Sequence, residues 1–325
     1  MMIKVVTFPF HQPYQSLMFK ANVDWYVIDG YKNIWWDFDE NSNPDIASQN
    51  ARKKPKGVTF ITFDEFFMNI EDYDVLLLPT ADHVLWLHTL KHSIRTILTH
   101  GNTEPLHPDF YRIIGDQELI HTCSFTGKLR PQDQFIKHGH DPNEFKYNGE
   151  EKEGVVFPTN KFQVIGESHR YPDRFGWDFR NVIPHLEVDV LGNNPMYEKT
   201  YERCYNFPYK AYKQVLPSYE LGLQLGWQRG RTFTTSEMML CEIPVIQRDE
   251  KDYFPPDMRT YIKDGTNGYI VRLEYDFIRK TKQFLALSSA DKKKIGEEAR
   301  QTIIREQPLD LHLSNWETLL EGGRI

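Results

Sequence analysis

Short apolar runs alternate with polar, turn-forming or amphipathic stretches along the first 145 residues. Each run has four to seven residues, the length expected of a buried strand. The predicted strands cover residues 3–8, 25–28, 58–62, 75–78 and 94–99. Because helical or turn segments separate these runs, the alternation predicts a parallel sheet with helices on both faces.

A second series of the same kind follows a charged, glycine-flanked run at residues 148–154, which has the composition of a linker. Its predicted strands cover residues 155–158, 186–192, 219–225, 243–246 and 268–271. From residue 275 onward the apolar spacing becomes helical. The pattern therefore predicts an α/β protein with Rossmann-like domains at residues 1–150 and 151–305, followed by a last helical segment at 306–325.

Composition narrows the class of protein. A chain of 325 residues exceeds the usual size of one hydrophobic core, so two domains are expected. No apolar stretch is long enough to span a membrane, and the N-terminus lacks the layout of a signal peptide. Three cysteines at irregular spacing fit a reducing cytoplasm, which is the predicted location. The net charge of −7 excludes a global basic field for nucleic acid but leaves a local basic patch open.

The run 236–246 predicts a short helix with a carboxylate at its start, a tight exit turn and a buried strand. Glu237 would then lie at a helix N-terminus beside the carboxyl end of a strand, where open α/β sheets bind nucleotides. Its carboxylate can accept hydrogen bonds from ribose hydroxyls. The alternative is that Glu237 only compensates the helix dipole. Residues 264–271 add Asp-Gly and Asn-Gly turns before another apolar strand.

These two segments resemble the donor-site signature of the GT-B glycosyltransferases of the retaining family 4 type. The residues in register are Gly230, Glu237, Met239, Cys241, Pro244 and Val245. Two positions differ from the signature. Arg229 stands where the family has its first Glu, and Glu242 replaces the Gly that ends the helix. The family's sugar-contacting carboxylate is therefore not carried over to this chain.

Two further segments resemble the same family. Residues 137–145 match its segment before the interdomain hinge at Gly139, Asp141 and Phe145, and residues 96–101 resemble an N-domain strand that ends in a histidine. The four segments occur in the family's order over most of the chain. The resemblance implies a GT-B fold of two Rossmann-like domains with a cleft between them, the last helix returning to the N-domain.

Metal-independent GT-B enzymes hold the donor diphosphate with cations and helix N-termini. Arg170 and Arg174 lie in a segment that resembles the family's Gly-Arg-x-x-x-Lys-Gly-x-Asp, although the spacing differs by one residue. Arginine suits bidentate phosphate contact. The alternative is that both arginines form surface ion pairs with Asp173 and Asp178.

Other candidate donor-binding residues surround Glu237. Arg229 and Arg231, on either side of Gly230, are expected to bind phosphate or an acidic sugar, or else to lie in a solvated loop. The hydroxyls and N–H groups just before Glu237 are candidate cap and phosphate partners, one of them serving as the N-cap. These residues are Thr234, Thr235 and Ser236. Gly192, at the end of a predicted strand, completes the predicted donor site.

Two histidines are candidate catalytic residues. His100 ends a predicted strand and precedes a glycine, so its imidazole is expected at the edge of the cleft that the resemblance implies. His11 follows the first strand, where the family places a loop between donor and acceptor. A structural role is the alternative for each. His88 and His92 have the i, i+4 spacing of zinc ligands but lack a third ligand nearby in the sequence, so no metal site is predicted.

The sequence therefore predicts a glycosyltransferase that moves a sugar from a nucleotide sugar to an acceptor, without a metal or another cofactor. Retention of anomeric configuration follows from the resemblance alone. UDP and GDP are the expected nucleotides. The acceptor is left open among a glycan, a lipid, a small molecule and a modified base of nucleic acid, as in some phage enzymes. The alternative from another class is a noncatalytic protein that binds nucleotide sugars.

Overall fold

The computed structural model describes residues 2–9, 12–28, 55–79, 94–100, 108–122, 130, 133–159, 182, 185–192, 202–225, 232–249 and 261–325. The chain divides into two compact units. The first contains residues 1–43, 50–139 and 307–325, and the second contains residues 44–49 and 140–306.

The first unit is built on a seven-stranded, all-parallel sheet with the strand order β3-β2-β1-β4-β5-β6-β7. Its strands are β1 (Lys4–Thr7), β2 (Asp24–Ile28), β3 (Val58–Ile61), β4 (Val75–Leu78), β5 (Arg95–His100), β6 (Glu118–His121) and β7 (Gln134–Phe135). Its helices are α1 (Gln12–Met18), α2 (Phe63–Met68), α3 (Pro108–Ile114) and, from the end of the chain, α8 (Leu309–Leu320). The central strand β4 is buried along its whole length, as expected where helices cover both faces.

The last helix, α8, packs on α1 in this unit. Trp316 is buried in α8, with its ring 6.3 Å from that of Tyr14 in α1. At the C-terminal end of the helix, Arg95 donates to the carbonyl oxygens of Leu319 and Leu320, at 2.8 and 3.1 Å. A cation is favourable there because the last carbonyls of a helix lack intrahelical partners.

The second unit has a six-stranded, all-parallel sheet with the strand order β10-β9-β8-β11-β12-β13. Its strands are β8 (Val155–Pro158), β9 (Val188–Leu191), β10 (Cys204–Tyr205), β11 (Leu221–Gln224), β12 (Val245–Arg248) and β13 (Gly268–Val271). Its helices are α4 (Tyr209–Val215), α5 (Phe233–Leu240), α6 (Glu274–Leu285) and α7 (Ser289–Glu306). Along this sheet the chain order reverses between β8 and β11, so these two strands form the topological switch point.

Two hydrophobic cores cover the faces of the second sheet. On one face, Phe277 and Phe284 of α6 pack with Leu223 and Ile246. On the other face, helices α5 and α7 pack around Val245 and neighbouring buried residues. Alternate residues of a strand point to opposite faces, so Gly222 and Gln224 belong to the face covered by α5.

Every strand predicted from the sequence is present, with ends within two residues of the prediction. Strands β6, β7 and β10 were not predicted. The longest segment of the first unit, residues 50–139, ends at Gly139, whereas linker composition placed the domain boundary near residue 150. The reason lies in residues 140–145. Phe145 is part of a core of the second unit, and Arg300 of α7 donates to the carbonyl oxygens of Phe145 and Pro142.

Candidate active site

Helix α5 begins earlier than the sequence suggested. Its N-cap is Thr232, whose hydroxyl accepts a hydrogen bond from the Thr235 N–H at 3.1 Å. The Ser236 N–H donates to the Thr232 carbonyl at 3.1 Å. The prediction that Thr234, Thr235 or Ser236 is the N-cap is therefore wrong. A run of hydroxyl residues offers several suitable caps, and packing selects the first.

Because Thr232 is the N-cap, the groups that α5 can offer to an anion lie in its first turn. The N–H groups of Thr235 and Ser236 are already used by Thr232, and both side chains are buried. Thr232, Phe233 and Thr234 are only half-buried. Because the first N–H groups of a helix lack intrahelical acceptors, the turn at 232–234 is the part of α5 best suited to an anionic ligand.

Glu237 is the fifth residue of α5 rather than its first, and its side chain is 5% exposed. The hydroxyl of Tyr212, on α4, donates to Glu237 Oε2 at 3.1 Å. Burial, followed by the neighbouring Glu237 carboxylate, raises the pKa of Tyr212 well above its usual value, so the hydroxyl remains a donor at neutral pH. The pair presents a carboxylate of fixed orientation, which can accept hydrogen bonds from neighbouring hydroxyls of a ligand.

Close packing on β11 fixes the position of this helix. A Cβ atom built on Gly222 would lie 2.4 Å from Met238 Sδ, so any larger residue at this position would force the Met238 side chain to move. Met238, Met239 and Cys241 are fully buried. Burial raises the pKa of the Cys241 thiol to about 12, which keeps it neutral, as expected of a cysteine in a hydrophobic core.

The helix ends in a Schellman motif. The Ile243 N–H donates to the Met238 carbonyl and the Glu242 N–H to the Met239 carbonyl, both at 3.0 Å. Glu242 occupies the left-handed position of this motif with φ of 58°, where the family signature has glycine. Lys152 Nζ donates to the carbonyl oxygens of Cys241 and Glu242, each at 2.6 Å. Burial lowers the pKa of Lys152 to about 8.

Polar side chains occur at the carboxyl ends of the neighbouring strands. Gln224 ends β11 and is paired in register with Gln247 of β12, and both side chains are buried. Gly192 directly follows β9 with φ of 142°, a conformation that favours glycine. These residues lie at the edge of the sheet where parallel α/β folds bind ligands. Gln224 was missed at the sequence level, although it stands out as a polar residue within the apolar run 221–225.

The second predicted turn has a structural role. The side chain of Asn267 is fully buried; its Oδ1 accepts from the Lys263 N–H at 2.6 Å and its Nδ2 donates to Thr302 of α7 at 2.9 Å. The predicted turn before β13 is therefore present, with Gly265 at φ of 73°. Its asparagine connects the turn to α7.

In the first unit, His100 is the last residue of β5, and its side chain lies outside the described structure. It is paired in register with His121 of β6, a fully buried histidine that was not predicted as a site residue. His121 Nε2 lies 3.6 Å from Asp133 Oδ2, while Arg130 Nε donates to Asp133 Oδ1 at 2.9 Å. Burial lowers the pKa of His121, and the Asp133 carboxylate opposes this shift.

Several predicted residues lie outside the described structure. They are His11, His88, His92, Arg170, Arg174, Arg229, Gly230 and Arg231. Across the described ranges, no group of His, Cys, Asp and Glu side chains is arranged to hold a metal ion. Within the same ranges, no helix has both the length and the apolar character needed to cross a membrane.

Neither a protein-family profile nor a curated protein sequence matches this chain. Solved structures do match. HepE of Anabaena in complex with UDP-glucose has a TM-score of 0.65 at 10% identity, over 98% of this chain and 100% of HepE. Sucrose-phosphate synthase from Thermosynechococcus elongatus has a TM-score of 0.61 at 11% identity, over 98% of both chains.

TarM has a TM-score of 0.56 at 15% identity over 76% of this chain, which spans only 54% of TarM. At such identities the fold is what these proteins share. The two parallel sheets, their helices and the coverage of nearly the whole chain establish that this protein has the GT-B fold of two Rossmann-like units.

Proposed function

We propose that this protein is a glycosyltransferase that transfers a sugar from a nucleoside-diphosphate sugar to an acceptor. Supporting the proposal, HepE has the same fold and has been solved with UDP-glucose, with UDP, and with UDP and glucose. UDP is therefore the first nucleotide to test, followed by GDP.

The observation that carries the proposal is the buried Glu237 in α5. The helix follows β11, a strand at the topological switch point. Tyr212 holds one carboxylate oxygen, which fixes the orientation of the other. In the proposed complex, Glu237 accepts hydrogen bonds from the ribose hydroxyls. The nucleoside then lies along α5, with its phosphates toward the helix start.

The diphosphate is proposed to bind at the turn 232–234 of α5, together with Arg170 or Arg174, rather than through a divalent cation. Arg229 is assigned to the same clamp because a guanidinium offers donors and a fixed positive charge. Gly230 beside it would allow the backbone to approach the donor closely.

On the acceptor side, His100 and His11 are proposed to contact the reacting sugar or the acceptor hydroxyl. His100 ends β5 and adjoins His121, which lies beside the Asp133 carboxylate. Retention of configuration is part of the proposal through the donor-site signature, from which Arg229 departs.

The test is release of the nucleoside diphosphate from nucleotide sugars. UDP-, GDP- and ADP-linked sugars are incubated with the protein, with water or added sugars as acceptors, in buffers containing EDTA. We expect turnover of at least one donor in the presence of EDTA. Activity that is lost with EDTA and restored by manganese would contradict the metal-free clamp. Binding of donors without turnover would instead support a noncatalytic nucleotide-sugar-binding protein.

A further inference from the structure

The side chain of Gln224 has an environment that the fold alone does not explain. It ends β11 at the topological switch point and is 2% exposed. Its Oε1 atom accepts no hydrogen bond from any residue that the structure describes. Buried amide oxygens are nearly always paired, because leaving one unpaired costs free energy.

The position of Gln224 follows from the packing of α5 on β11. Gly222, on the same face of the strand, directly contacts Met238. Gln224 lies two residues further toward the carboxyl end, a distance of about 6.6 Å at roughly 3.3 Å per residue. Helix α5 connects the parallel strands β11 and β12, so it is expected to run antiparallel to them. Because a helix rises about 1.5 Å per residue, Gln224 is expected beside the residues about four positions before Met238. That position is Thr234, in the half-buried first turn of α5.

The chemistry of this turn and of Gln224 restricts the ligand. A helix start attracts phosphate, whereas an amide oxygen repels phosphate oxygens and requires a hydrogen-bond donor. A ligand that satisfies both must present a hydrogen-bond donor, such as a hydroxyl, close to a phosphate. The sugar of a nucleoside-diphosphate sugar does so, because its ring is attached directly to the second phosphate.

We propose that Gln224 Oε1 accepts a hydrogen bond from a hydroxyl of the transferred sugar. This inference rests on the proposed function, and it assigns to the proposed enzyme a residue that recognises the transferred sugar. The guanidinium of Arg229, which replaces the glutamate of the family signature, has only donors to offer. Gln224, five residues earlier in the sequence, supplies an acceptor. Glu237 lies about one helical turn beyond Thr234, so it is left for the ribose.

The test is Gln224→Met, which keeps the length of the side chain and removes the amide. Calorimetric titration compares UDP, GDP and ADP with their glucose esters on both proteins. For the nucleotide that wild type binds, we expect the variant to bind the glucose ester about 3- to 10-fold more weakly, as for the loss of one hydrogen bond. Affinity for the bare diphosphate should be unchanged. Removing an unpaired amide should leave the ligand-free melting temperature unchanged or higher.

Thr281→Val is the matched control. Thr281 lies in α6, and its Oγ1 is also buried without a partner among the described residues. Helix α6 covers the opposite face of the sheet from Gln224. The control should therefore leave the affinities for both ligands unchanged.

Three results would overturn the inference. If Gln224→Met binds the diphosphate and its glucose ester as tightly as wild type, Gln224 does not contact the sugar, although the proposed function stands. An equal loss for both ligands would show that it contacts the nucleotide. If wild type binds none of the nucleotides or esters, the proposed function fails and this inference fails with it.

Discussion

The hydrogen bond between Tyr212 and Glu237 joins two buried side chains that are 25 residues apart in the sequence. The ring of Tyr212 is fixed by an edge contact with Phe145, at 6.1 Å between ring centroids. Its hydroxyl is therefore held in place before any ligand binds. A carboxylate held in this way loses less conformational freedom on binding than a mobile one.

Tyr212→Phe should weaken nucleoside-diphosphate binding by about 0.5–1.5 kcal/mol, the net value of one hydrogen bond. The ring contacts remain, so the fold should persist. Calorimetric titration of UDP measures the effect. In a Glu237→Ala background the same change should cost nothing further, because Tyr212 acts through Glu237. Additive losses in the double variant would show that Tyr212 contributes by another route.

Glu242 carries backbone strain at the end of α5. A left-handed conformation costs a non-glycine residue about 1–2 kcal/mol, partly offset by the flexibility that glycine adds to the unfolded chain. Glu242→Gly should therefore stabilise the protein by about 0.5–1 kcal/mol, as measured by urea unfolding. Glu242→Ala keeps the Cβ atom and should give no such gain. Equal stabilisation by both variants would show that the carboxylate, not the backbone, is unfavourable.

Helix α8 carries an acid-sensitive contact. His312 is buried against α1, and its Nδ1 lies 2.8 Å from the carbonyl oxygen of Lys137. Its Nε2 finds no partner in the described structure. Burial lowers the pKa of His312 to about 4, only partly opposed by the hydrogen bond to Lys137. The helix is therefore packed for a neutral imidazole.

This shift predicts a pH dependence of stability. An unfolded histidine has a pKa of about 6.5, so between pH 6.5 and 4 the unfolded chain binds a proton that the folded chain excludes. The stabilisation is complete above pH ~6.5 and is lost as the pH falls toward 4, at up to ~1.4 kcal/mol per pH unit. His312→Gln keeps a donor for Lys137 and does not titrate, so urea unfolding at pH 7, 6 and 5 should give a shallower decline. Parallel profiles for the two proteins would contradict this.

The strands that sequence patterns predicted are the long, apolar ones. Strands β7 and β10 have two residues each, too few to form a pattern, and β6 has only two consecutive apolar residues between polar ends. Local sequence placed Glu237 on a helix after a central strand. It could not select Thr232 among neighbouring hydroxyl residues, nor pair Glu237 with Tyr212, because both depend on how α5 packs.

The two units of the molecule share one arrangement of apolar and polar residues. Each parallel sheet is buried by helices, and each bears buried polar residues at the carboxyl ends of its strands, such as His121 in the first unit and Gln224 in the second. Apolar residues elsewhere in the strands stabilise the fold. The polar ends are the positions at which such sheets bind ligands. The proposed transferase activity therefore depends on few residues, which the fold holds in place.

The central claim is that Glu237 binds the ribose of a nucleotide, and calorimetric titration of UDP and GDP tests it most directly. Wild type should bind one of them, and Glu237→Ala should weaken that binding by about 1.5–3 kcal/mol, as for hydrogen bonds to a charged group. Glu242→Ala, which removes a carboxylate at the other end of the same helix region, should leave the affinity unchanged. Equal nucleotide affinity in wild type and Glu237→Ala, with both proteins folded, would contradict the account.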